Sequence, residues 1–175
     1  GLDAILQKYG LQMIGAFVPV ALWKKEAIAD GIEVAVRTAS LLKTVSDRPF
    51  IVLADENGSV PERTACAGRI RSDQGLSNSQ WRTFGDGANR LAEAVLERTG
   101  VRTVFHHHCA GYVETPAEVE KLLEMTDPAL LGLCLDMGHF RFGGGDPLAA
   151  LKDYADRIWH IHFKDFDPDV AERAK

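Results

Sequence analysis

The stretch Leu130–His139 reads LLGLCLDMGH. An unbroken apolar run meets an acid, Asp136, with His139 three places further on. Strict alternation would mark a strand with one wet face. A continuous apolar run marks a strand covered on both faces, as in a parallel sheet. An acid that directly ends such a strand sits where parallel sheets carry function, outside their carboxyl ends.

Working outward, two neighbouring runs end in the same way. HHHCAGYVE (His106–Glu114) follows the apolar run that begins at Val101, and HIHFKD (His160–Asp165) closes RIWHIHFKD. Earlier apolar runs are LQMIGAFVPV and PFIVLADE. The expected strands are therefore near 11–20, 49–56, 103–108, 131–137 and 158–164. Helical stretches lie between them. One contains KEAIADGIEVAVRTASLLK, and a second begins at Asn78 or Ser79 as N-cap and stops at Gly100. A third is capped by Thr115, with Pro116 in its first turn and Glu118 closing a capping box. Asp146 followed by Pro147 repeats the same start. NGSVPERTACAGRIRSDQGLS reads as a long polar loop, and FGGGDP (Phe142–Pro147) as a flexible one without the lysine of a phosphate loop.

Strand then helix, repeated, with polar residues at strand C-termini, predicts an α/β fold of the (βα)8 TIM-barrel type. Residues 1–175 are expected to form a single, partial barrel domain of about five strand–helix units. A complete barrel has eight units and about 250 residues, so one unit is expected before Gly1 and two after Lys175. Uncovered sheet edges make a homo-oligomer an expected partner state.

Composition narrows the class. Hydrophobic residues make up 46% and charged residues 26%, which is a globular balance. The net charge of -5 disfavours nucleic acid as a partner, and no run is long and apolar enough for a membrane helix. No signal peptide is read at the start. Cys66, Cys109 and Cys134 are odd in number and far apart, which points to a reducing, cytoplasmic setting.

The candidate site gathers at the three polar strand ends. Glu114, Asp136 and His162 offer two carboxylates and an imidazole, a set suited to Mn²⁺, Mg²⁺, Co²⁺ or Zn²⁺. His139 and His108 reach the same mouth, and Lys164 lies on the His162 face. Blander readings stand beside these. Glu114 also suits the N-terminus of the helix that follows it, and His162 also suits a satisfied core position. Of His106, His107 and His108, alternation turns at least one outward, and His107 is set aside on that ground. On 158–164, alternation expects His160, His162 and Lys164 inside the barrel, with Ile161 and Phe163 under the helices.

HHHCAGYVET, LCLDMGHF and RIWHIHFKD, in that order and at those intervals, resemble the xylose-isomerase-like barrel superfamily of sugar isomerases and epimerases, and within it the inosose dehydratase group. The resemblance implies that Glu114, Asp136 and His162 bind a divalent metal, and that His139 approaches substrate oxygens. It also implies a second metal-binding glutamate late in the barrel, for which this chain offers no residue. The expected substrate is a small sugar or cyclic polyol ketone. The implied chemistry is removal of a proton next to a carbonyl by Glu114, with His139 or Lys164 acting on the oxygen that leaves, and His108, His139 and Lys164 meeting the substrate. Loss of a β-hydroxyl gives dehydration; return of the proton gives epimerisation or isomerisation instead. Two further readings remain. The superfamily's endonuclease branch would need more metal ligands and a basic face. A barrel remnant would bind a sugar or a partner without turnover.

Overall fold

In the computed structural model, which describes residues 1–174, five strands form one parallel sheet in chain order. They are β1 (Gly15–Pro19), β2 (Phe50–Ala54), β3 (Arg102–His106), β4 (Leu131–Asp136) and β5 (Ile158–His162). Helices α2 (Lys25–Leu42), α4 (Asn78–Thr99), α5 (Pro116–Met125) and α7 (Pro147–Asp153) carry the chain back between strands. This is a contiguous segment of barrel wall, as the alternation of elements predicts.

Strand parity builds two faces. Ile51, Leu53, Phe105, Leu131, Leu133 and Leu135 belong to the large core that also holds Phe84, Leu91 and Val95 of α4 and Ala35 and Val36 of α2. Complete burial of a side chain such as Phe84 or Leu91 contributes roughly 1.5–3 kcal/mol. The opposite parity faces the barrel interior. There Val52, Val104 and Cys134 make a small cluster, with Phe50 and Trp159 against it. The ladder between β4 and β5 shifts register at Leu133/Cys134. A Cβ on Gly132 would lie 2.2 Å from the Trp159 ring, so a glycine is what lets that indole lie across the strand.

Local caps follow the sequence closely. Thr115 accepts from the Glu118 N–H and Glu118 closes the box, with Pro116 in the first turn. Asp146 caps α7 through the Leu148 N–H. Helix α4 is capped by Ser77, one residue before the expected Asn78 or Ser79, because the Ser77 side chain and Gln80 satisfy each other's backbone.

Other departures have physical causes. β1 begins at Gly15 rather than Leu11, and Leu11 and Ile14 are exposed beyond it. Helix α1 (Leu2–Tyr9) precedes it, ended by Gly10 in the left-handed region. The long polar loop contains a short helix, α3 (Pro61–Ala65), and a 3₁₀ turn, Ser72–Gln74. It is held down by a buried arginine. Arg63 donates to the Gly111 carbonyl from Nε and Nη2, and pairs with Glu118 at 2.8 Å. Phe163 does not pack under the helices: it is 80% exposed, because β5 ends at His162 on the open edge of the sheet. Among the described residues no helix is long and apolar enough to cross a membrane.

Candidate metal centre at the carboxyl ends of the strands

Asp136 is both the last residue of β4 and the N-cap of α6 (Met137–Phe142). Its Oδ1 accepts from the His139 backbone N–H at 2.9 Å, which is ordinary capping. That leaves Oδ2 facing the barrel interior. His106 Nε2 lies 3.3 Å from Oδ2, His162 Nδ1 3.4 Å, and Lys164 Nζ 2.7 Å. His139 Nε2 is 3.9 Å away and accepts from Lys164 at 3.0 Å. Burial alone would push the Asp136 carboxyl up. The hydrogen bonds from His106, the His139 N–H and Lys164 outweigh it and hold the acid well below the usual carboxylate range.

Burial also acts on some of the imidazoles. Burial lowers His106, with the neighbouring His162 adding to it, and pushes His139 down to about 4. His107 is turned to the helix side, against Phe140, and is pushed down to about 3 by burial. Its Nε2 accepts from the Asp136 backbone N–H. His108 packs against His139 with ring centroids 4.1 Å apart and the planes inclined by 41°. Cys109 Sγ lies 3.0 Å from His139 Nδ1, and burial raises its thiol to about 12.

Among the described residues, two groups of side chains place their ligand atoms within 4.8 Å of one another: His106, Asp136 and His162, and, one layer deeper, Cys134, His160 and His162. The first group fits a divalent ion on its chemistry. It offers two imidazole nitrogens, of which His106 is lowered by burial, and one carboxylate kept anionic, and a cationic nitrogen already stands on that carboxylate.

So Asp136, His162, His139, Lys164 and His108 come together, and His108, His162 and Lys164 line a depression of about 680 Å³ with Phe17 and His160. Glu114 does not join them, and the expected trio with Asp136 and His162 is not the one the fold assembles. The Glu114 carboxylate is 1% exposed and spends both oxygens on backbone, accepting from Gly68 N–H and Ala110 N–H at 2.6 Å each. It thereby holds Ala110 at a φ of 65°, a left-handed geometry uncommon for alanine. His106 takes the third place instead. The signal for it was available: His106 has the same parity as His108, two residues on. Asp55 was also missed. It follows β2, is 4% exposed, accepts from the Tyr112 N–H through Oδ2, and has no partner for Oδ1.

Comparison with known proteins identifies the family and the fold. Residues 1–174 match the family model described as a xylose isomerase-like TIM barrel. The inosose dehydratase of Geobacillus kaustophilus is 32% identical over 171 residues, which is 98% of this chain and 55% of that protein. The chain thus spans about half the length of that relative. Two solved structures share the fold at low identity. The 3-keto-D-glucoside 4-epimerase YcjR of E. coli matches with a TM-score of 0.69 at 18% identity, over 94% of this chain and 63% of that one. The IolI protein with a bound zinc atom matches with a TM-score of 0.65 at 16% identity, over 95% and 58%.

Proposed function

This chain belongs to the xylose isomerase-like TIM-barrel family, and we propose that it serves a divalent-metal-dependent enzyme acting on a cyclic polyol ketone, as an inosose dehydratase does. The observation that carries the reading is the convergence of His106 and His162 on Oδ2 of Asp136, the oxygen not used in capping. The inosose dehydratase relative at 32% identity and the zinc bound by the IolI protein support it.

His106, Asp136 and His162 would hold the ion. When bound, it supplies polarisation of a substrate carbonyl, which acidifies the neighbouring C–H bond. The chain's own groups do the rest. His139 is neutral and has a ring nitrogen at the mouth, so it can take a proton. The Lys164 ammonium can give a proton to the departing hydroxyl, which then leaves as water, and His108 packs against the His139 ring. In this reading Glu114 positions the loop and is not the base, because both its oxygens are engaged. A cytoplasmic location is part of the proposal, in keeping with three free cysteines.

The test is product analysis by mass spectrometry after incubation with an inosose and Mn²⁺ or Co²⁺. Loss of one water, with formation of a dione, is expected. A product of unchanged mass would assign the site to a ketose epimerase or sugar isomerase. Binding of the ketone without any consumption would leave a sugar-binding module.

A further inference from the structure

We propose that Lys164 is a built-in cation that competes with the divalent ion for Asp136, so that loading the site means exchanging one cation for another. This rests on the reading of His106, Asp136 and His162 as ion ligands.

The geometry begins with the carboxylate. Asp136 is fully buried, and Oδ1 is committed to capping α6. Oδ2 is therefore the oxygen through which it can meet a cation on the interior face. That oxygen is approached by His106, His162 and Lys164, and Lys164 is nearest, at 2.7 Å. A divalent ion bonds its ligands at about 2.0–2.2 Å, so an ammonium at 2.7 Å from the same oxygen occupies overlapping space.

The two partners differ in what separation costs them. A carboxylate without exposure that loses its cation is left as an uncompensated buried charge. The Lys164 side chain is 47% exposed and lies past the end of β5, outside any strand or helix. Its head can return to water by rotation of its own stem. The pair therefore opens readily only when another cation takes over Oδ2. The packing around the stem fits this role. Gly138 in α6 lies against it, and a Cβ there would come within 2.8 Å of Lys164 Cβ. The helix is bare where the lysine passes.

Exchange has a consequence for affinity. With Lys164 in place, the ion must first displace a cation, and afterwards it has an ammonium as a near neighbour. Both effects weaken binding. A neutral side chain at position 164 removes both.

The experiment is isothermal titration of Mn²⁺ and of Co²⁺, the metals alone, into the wild-type chain and into Lys164→Met, Lys164→Gln and Lys164→Arg. Thermal melts are recorded for each without and with the ion. The two neutral variants should bind at least tenfold more tightly than wild type, and Lys164→Arg should remain close to wild type. Metal-free Lys164→Met and Lys164→Gln should melt below wild type and recover when the ion is added. Two neutral variants guard against a folding defect peculiar to one. Equal or weaker binding by both, with the wild type binding measurably, overturns the competition and leaves the ion site standing. No binding by any of the proteins overturns the ion site and the competition with it.

Discussion

The backbone N–H of Asp136 donates to His107 Nε2 at 3.1 Å from the helix side of the sheet, while His106 Nε2 meets the Asp136 carboxylate from the interior side. Two consecutive histidines thus grip one residue from both faces, one by its main chain and one by its side chain. His107 is 1% exposed and kept neutral, so its ring nitrogen is a fixed acceptor. Replacing it with leucine orphans a buried N–H. His107→Leu should cost about 1–3 kcal/mol in urea unfolding, beyond any packing change. A stability within error of wild type would mean that this bond does not anchor the strand end.

Asp136→Asn and Glu114→Gln separate the two acids. The first removes the anionic ligand while keeping the shape, and divalent-ion affinity by calorimetry should fall sharply. The second leaves His106, Asp136 and His162 untouched, so affinity should stay within a few fold. It does, however, replace an oxygen that accepts from Gly68 or Ala110 with an NH₂ group. A loss of roughly 1–3 kcal/mol of stability is expected, with activity per folded molecule retained. A collapse of ion affinity in Glu114→Gln would restore the glutamate to the ligand set.

Asp55 sets a pH dependence. Burial pushes its carboxyl from 3.8 to about 6. Between those values the folded chain keeps a proton that the unfolded chain has released. Its contribution therefore lowers stability as pH rises through that window, and levels off above it. The full effect is of the order of 2–3 kcal/mol at most. Asp55→Asn should be more stable than wild type at pH 7.5, with the difference shrinking to about 0.5 kcal/mol by pH 4. Other titrating groups are common to both proteins, so the difference between their unfolding curves isolates Asp55. A constant difference across pH 4 to 7.5 would exclude it as the source.

Gly132 is tested by one methyl group. A Cβ there meets the Trp159 indole at 2.2 Å, and that indole is backed by the Arg102 guanidinium 3.5 Å from its ring centre. Gly132→Ala must move the ring or bend the strand, at a cost of about 1–3 kcal/mol. The shift should show in tryptophan fluorescence as well as in the melting temperature. An unchanged emission spectrum would mean that Trp159 does not lie over Gly132.

Much of this was legible in the sequence, and the reason differs by residue. The strands were readable because apolar runs such as Leu131–Leu135 are covered on both faces, and the α5 cap because Thr115, Pro116 and Glu118 each carry a local signal. Asp136 and His162 could be placed together from the sequence because they sit at strand ends, where position fixes direction. Glu114 lies eight residues beyond His106, in a loop, so its direction depends on the path of the chain rather than on parity. That path is set by the remote Arg63, which no local pattern around Glu114 reveals. Phe163 has the parity of a packed residue, but the strand has already ended there.

The clamp at Arg63 has a kinetic consequence. The amides of Gly68 and Ala110 both donate to Glu114, and Arg63 ties their two segments together through Gly111 and Glu118. Solvent deuterium cannot reach either amide unless that shared network parts, so the two should exchange as one cooperative unit with a common opening free energy. Arg63→Ala should speed both together while leaving the amides of β3 at their original rates, making two stretches far apart in sequence a single unit of motion beside the candidate site.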